Sequence, residues 1–214
     1  MSDDYDSPWK EVTERYFREF MEFFFPQAYG DIDCERGYEF LDKEFHQITK
    51  DAEIGRKYVD KLAKVWLNNG HDAWAMIHAD IQTQHEDDFA ERMYVYNYRL
   101  FDRFGRHAAS FAVMGDSGKS RQADTFEQEL WGCSVCFHFP VIRLGDYARR
   151  SEELENSGNP FAVVVMAHIL AQATAKDSDR RMAEKLRLTK MLYRRGFPKQ
   201  DIINLFRFVD WLMA

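Results

Sequence analysis

Apolar and polar residues alternate on both sides of one polar cluster. Residues 60–67 and 73–82 flank Asn68-Asn69-Gly70-His71-Asp72, the pattern of a β-hairpin. With pairing centred on Gly70, Leu67 faces Ala73, Val65 faces Ala75, Leu62 faces His78 and Asp60 faces Asp80. Upstream, Trp9, Val12, Tyr16, Phe17, Phe20, Phe23 and Phe24 keep helical spacing from Ser7-Pro8 to Pro26, with Ser suited to the cap and Pro to the first turn. Residues 27–58 are less regular, and a short strand is expected near 40–48. Beyond the hairpin the pattern predicts a helix over 89–104, stopped by Gly105, a strand over 108–114, a polar loop over 115–124 and a strand over 130–141. Helices follow at 146–156, 160–175, 179–195 and 199–213, separated by Gly158-Asn159-Pro160 and by Gly196 and Pro198. The run 161–173 is apolar around most of its circumference and is expected at the centre of this half. The whole reads as an α/β protein: a core over 1–142, built of an initial helix, a mixed sheet and a crossover helix, with a helical region over 143–214 packed on it.

The expected register sets two carboxylates against each other. Like charges directly across an antiparallel pair repel, so Asp60 and Asp80 call for a cation, a shared proton or a different register. Gln82 shares the face of Asp80 by strand alternation and adds an amide. Two carboxylates and an amide oxygen suit a hard ion such as Mg²⁺, which keeps several waters and can polarise a phosphate. The plain alternative is a surface Asp at each open end of an ordinary hairpin.

The run YVDKLAKVW, then AWAMIHADIQTQ, then FAERMYVYNYRL resembles the recombination-promoting nuclease (Rpn) and transposase-related family, a branch of the PD-(D/E)xK nuclease superfamily. SPWKEVTERYF, GYEFLDKEF and NPFAVVVMAHILAQ are similar to the same group, so the likeness spans nearly the whole chain. In that pattern an Asp begins the second core strand and an acid-x-Lys triplet ends the third. The resemblance therefore implies Asp60 and Asp80 as Mg²⁺ (or Mn²⁺) ligands and Gln82 in the Lys position, where many members of this branch carry Gln. It implies a restriction-endonuclease-like fold, with a further acid from the first helix. Glu11 is the candidate, with Glu44 as second choice. Arg92 matches the family's RmxxYxxxL pattern and would contact phosphate or hold Asp80. Two departures stand out: Asp80 is shorter than the Glu often found there, and Gln82 brings no positive charge to a developing phosphorane.

The expected function is a metal-dependent DNA endonuclease. The alternative is a catalytically inactive nuclease-fold protein acting in nucleic-acid or protein binding. A net charge of −7 is not the footprint of a constitutive DNA binder, and it supports the alternative. The charge is uneven, however: residues 1–60 carry 8 basic and 16 acidic side chains, whereas 176–199 carry 9 basic and 3 acidic. That basic stretch could meet a phosphate backbone. No apolar run approaches a membrane span and no leader pattern begins the chain, so a soluble, cytoplasmic protein is expected. The chain stops in the apolar DWLMA, whereas the family resemblance implies members that continue further. Three cysteines argue against a disulfide framework. Cys133, Cys136 and His138 do not form a zinc site by spacing, because Cys133 and Cys136 fall on opposite sides of a strand. GDSGKS lacks the spacing of a phosphate-binding loop. Cutting both strands of a duplex needs two sites, so the resemblance also implies a homodimer.

Overall fold

The computed structural model describes residues 6–49, 59–80, 88–115 and 124–214. In chain order these form α1 (Asp6–Arg15), α2 (Phe17–Phe24), α3 (Pro26–Asp31), β1 (Tyr38–Phe40), α4 (Asp42–Thr49), β2 (Val59–Trp66), β3 (Asp72–Asp80), α5 (Phe89–Phe104) and β4 (Ala108–Met114). Then come β5 (Thr125–Leu130), β6 (Cys133–His138), β7 (Val141–Arg143), a 3₁₀ turn (Leu144–Arg149), α6 (Ser151–Asn156), α7 (Pro160–Ala173), α8 (Ser178–Arg194) and α9 (Lys199–Leu212). Contacts divide the chain into two units, Met1–Gly30 with Arg143–Ala214, and Asp31–Ile142. The first helices thus group with the C-terminal helices, whereas the sequence pattern assigned them to a 1–142 core.

The unit Asp31–Ile142 is α/β. Its mixed sheet has the order β1-β2-β3-β4-β7, with β1, β2 and β3 antiparallel in succession and β4 parallel to β3. A parallel neighbour needs a crossover, and α5 supplies it. Phe89, Met93, Tyr96 and Leu100 recur at helical spacing and pack with Leu62, Met76, Ala112 and Met114 from one face of the sheet. Asn97 donates to Ser110 Oγ at 3.1 Å, pinning the helix to β4. Gly105 takes the left-handed position (φ 61) that ends α5, and its N–H donates to Phe101 O at 2.8 Å.

In the other unit α7 is the hub, its residues from Pro160 to His168 all buried. Phe161 meets Phe20 and Phe24 with ring centroids 5.2 and 5.5 Å apart. Trp9 meets Phe208 at 5.5 Å, and the Tyr16 hydroxyl donates to Asp201 Oδ1 at 2.8 Å, tying the first helices to α9. Asn159 and Asp177 cap α7 and α8 by accepting from Phe161 N and Arg180 N. Among the described residues, no helix is long and apolar enough to cross a membrane.

Four expectations are corrected. The single helix expected up to Pro26 is two, α1 and α2, broken at Tyr16 (φ −121, ψ 41), and Phe25, restricted by the proline after it, leaves helical geometry (φ −133, ψ 57) before α3. Most of the strand expected at 40–48 is α4: Leu41 and Phe45 stand four apart, and acids occupy the first turn where the helix dipole favours them. The strand expected at 130–141 is a hairpin, β5–β6, followed by β7. Its turn uses Trp131 (φ 53) and Gly132 (φ 82), the two left-handed residues of a type I′ connection. Trp at the first of these positions costs about 1–2 kcal/mol, so nothing in the sequence announces the turn. The helix expected at 146–156 is the 3₁₀ turn plus α6, broken at Arg150 (φ −116, ψ 31).

Candidate functional site

The hairpin forms, but not in the register expected. Val65 pairs with Ala73, Leu62 with Met76, Asp60 with His78 and Val59 with Ala79. Pairing is therefore centred on Asn69, not Gly70, and Asp60 does not face Asp80. The cause lies in the turn. Gly70 occupies a left-handed position (φ 87), its N–H donates to Leu67 O, and Leu67 N donates to His71 O, both at 2.8 Å. This is a three-residue loop, a tight turn followed by a left-handed residue, in which glycine belongs at the last position rather than the middle. The Asn69 side chain accepts from His71 N at 3.0 Å and fixes the loop.

Two residues of slip preserve parity. Asp60 is the second residue of β2, and Asp80 is the last of β3, where its parallel partner is Met114. Register positions 60, 78 and 80 consequently share one face of the sheet, the face that α5 covers. The acids are diagonal instead of directly opposed, with His78 between them in the register. His78 is buried, its ring 5.2 Å from that of Phe89 in the first turn of α5. Gln82 lies outside the described residues.

Arg92 sits one turn into α5, buried at 4% exposure, with its guanidinium 5.6 Å from the centre of the Phe89 ring. Burial to this degree withdraws the guanidinium from contact with solvent. Glu11 is on α1, in the other unit, exposed and 3.7 Å from Arg15. Glu44 lies in the first turn of α4 and is half-buried. Among the described residues, no group of three or more His, Cys, Asp or Glu side chains gathers as a metal site. Cys133 and Cys136 are free thiols on β6, both exposed, and His138 contacts the Thr125 hydroxyl at 3.1 Å.

Sequence reasoning passed over His78 and Lys61. His78 was legible in principle, since it precedes Asp80 by one strand period. Lys61, next to Asp60 but on the opposite face, is 2% exposed, with Nζ 2.9 Å from Asp42 Oδ1 and 5.2 Å from the centre of the Phe40 ring. A lysine inside the alternation VDKLAKVW looks like a solvent-facing residue until the second face of the sheet is also found buried.

The helical unit holds a pocket of about 810 Å³ lined by Tyr16, Glu22, Phe23, Tyr147, Arg150 and Asp201, among others. Its polar groups are engaged with one another: Tyr16 with Asp201, Arg150 with Glu153 at 2.7 Å, and Asn159 with Glu22 at 3.1 Å. Burial first, and the Asp201 carboxylate with it, pushes the Tyr16 phenol up to about 12 despite the bond from Asn204. Burial likewise raises Tyr147, and the Arg150 guanidinium holds Glu153 below the usual carboxylate range. A phenol held protonated in this way makes a poor base at neutral pH.

Comparison with protein-family models, curated proteins and solved structures finds no match for the chain.

Proposed function

We propose that the protein is a metal-dependent endodeoxyribonuclease that hydrolyses phosphodiester bonds, related to the recombination-promoting nucleases. One observation carries this reading. Asp60 stands at the start of the second strand of the sheet and Asp80 at the end of the third, on one face, as the resemblance requires. The antiparallel β1-β2-β3 succession and the helical crossover to parallel β4 support it.

The donor set fits a hard ion: two carboxylate positions at the open end of a hairpin, with Gln82 two residues beyond Asp80. Mg²⁺ or Mn²⁺ held there would polarise the scissile phosphate and supply an activated water. Asp60 and Asp80 would hold the ion, and the Gln82 amide would orient the water it activates. Arg92, its guanidinium 5.6 Å from the centre of the Phe89 ring that also meets His78, would supply the positive charge that Gln82 lacks.

The test is cleavage of supercoiled and linear DNA with Mg²⁺ or Mn²⁺, beside Asp60→Ala and Asp80→Ala proteins of verified folding. Each substitution is expected to lower metal-dependent cutting by roughly 10²-fold or more. A wild type that neither cuts DNA nor binds either metal ends the catalytic reading and leaves a nuclease-like scaffold used for binding.

A further inference from the structure

The pocket of about 810 Å³ in the helical unit has charged walls that its own residues leave uncompensated. Every residue lining it belongs to the unit Met1–Gly30 with Arg143–Ala214. Carboxylates border it from Glu19, Glu22, Glu153 and Asp201, against the single guanidinium of Arg150. Arg150 is engaged by Glu153, which it meets through hydrogen bonds of 2.7 and 2.5 Å. The other acids have no ion pair among the described residues. Asp201 accepts from the Tyr16 hydroxyl at 2.8 Å and Glu22 from the Asn159 amide at 3.1 Å, and both donors are neutral. A phenol pushed up to about 12 stays a donor at neutral pH, so it orients Asp201 without bringing a positive charge to it. The Glu19 carboxylate is half-buried and has no hydrogen-bond partner among the described residues.

Much of the remaining wall is aromatic. Phe23 stacks on Tyr147 with centroids 5.5 Å apart and planes 21° from parallel, and Phe197 also lines the cavity. The Arg150 guanidinium lies 4.7 Å from the centre of the Tyr147 ring, so one cation of the chain already sits between an aromatic ring and a carboxylate here. Walls of this kind attract a cation and repel an anion. The form of the cation follows from the spacing. Glu19 and Glu22 stand three apart on α2, with about 5–6 Å between their Cβ atoms, and Asp201 comes from the first turn of α9. Among the described residues no three acids gather closely enough to hold one metal ion. Dispersed carboxylates beside apolar rings match a ligand whose own positive centres are separated by methylenes.

We propose that this pocket is a binding site for an aliphatic polyamine. The ammonium groups pair with Glu19, Glu22 and Asp201, and the methylene segments between them pack on Phe23, Tyr147 and Phe197. The site does not rest on the nuclease reading, because it uses neither Asp60 nor Asp80 and its test contains no DNA.

Isothermal titration of the full chain with spermidine, a triamine, at fixed ionic strength is expected to show saturable one-to-one binding. Butylamine, with a single ammonium, is expected to bind at least about tenfold more weakly. Glu19→Gln disturbs no internal partner, so folding is retained, and the affinity for spermidine is expected to fall about fivefold. Asp201→Asn, which keeps an acceptor for Tyr16, gives a comparable loss. Glu152→Gln, which alters an exposed acid of α6 outside the pocket, leaves the affinity unchanged. Absence of saturable binding by the wild type at millimolar spermidine overturns the proposal, as does unchanged affinity in folded Glu19→Gln or Asp201→Asn. Butylamine binding as tightly as spermidine, or an equal loss in Glu152→Gln, reduces the effect to unspecific charge attraction and overturns it too. Displacement of spermidine by equimolar Mg²⁺ would assign the acids to an inorganic cation, with the same consequence.

Discussion

Lys61 shows how a single charge is accommodated inside the sheet. Its ammonium is almost wholly removed from water, and the exposed Asp42 carboxylate meets it at the edge of β1. Removing the acid leaves a buried charge without that partner, whereas replacing the lysine removes the desolvation problem as well. Asp42→Ala is therefore expected to cost about 1–3 kcal/mol, and Lys61→Met to stay within about 1 kcal/mol of wild type; midpoints of urea unfolding check both. Tyr16 gives a pH-dependent counterpart. Its folded pKa lies near 12 against an ordinary 10.0, so the folded state keeps the proton that the unfolded chain has lost. The stability it contributes is complete below pH 10 and is lost as pH rises toward 12. Wild type should lose stability more steeply than Tyr16→Phe over that window, as read from denaturation midpoints at successive pH values. At neutral pH the same variant is expected to cost about 1 kcal/mol through the lost bond to Asp201.

At the scale of elements, α7 depends on the residue that caps it more than on its polar surface, since it has almost none. Asn159 accepts from Phe161 N at 2.9 Å while its amide reaches Glu19 O at 3.0 Å and Glu22 at 3.1 Å. Asn159→Ala is expected to destabilise by about 1–2 kcal/mol. Asn159→Ser, which keeps the cap and drops the two α2 contacts, should fall between wild type and the alanine variant; thermal unfolding of the three proteins orders them. This helix and the two after it were legible because Gly158-Asn159-Pro160 and the break at Gly196 and Pro198 are local signals; the caps by Asn159 and Asp177 came with the structure. The hairpin was legible in kind but not in register. Loop length depends on whether Gly70 closes the turn or centres it, and alternation alone fits both. The β5–β6 turn was not legible, because Trp131 occupies a position its residue type disfavours.

For the whole molecule, the net charge of −7 opposes DNA, and acids at positions 60 and 80 oppose it locally. Two carboxylates near a phosphate cost about 1 kcal/mol each even in water. Under the nuclease reading, duplex affinity is expected to rise on the order of tenfold when Ca²⁺, a non-cleaving substitute, is added after chelation, and this rise should vanish in Asp60→Ala. Fluorescence anisotropy at fixed ionic strength measures it. An affinity indifferent to divalent ions would move DNA contact away from the hairpin.

What the sequence determined by itself is the set of locally encoded features: the α/β class, the later helices, the crossover helix and the parity that leaves positions 60 and 80 on one face. Each depends on residues within a turn or two of one another, where spacing and propensity act directly. Only the tertiary structure decided that Asp60 pairs with His78, that Lys61 and Arg92 are buried, and that the first helices group with the last. Those outcomes follow from which surfaces exclude water together, and that depends on neighbours far away in the chain.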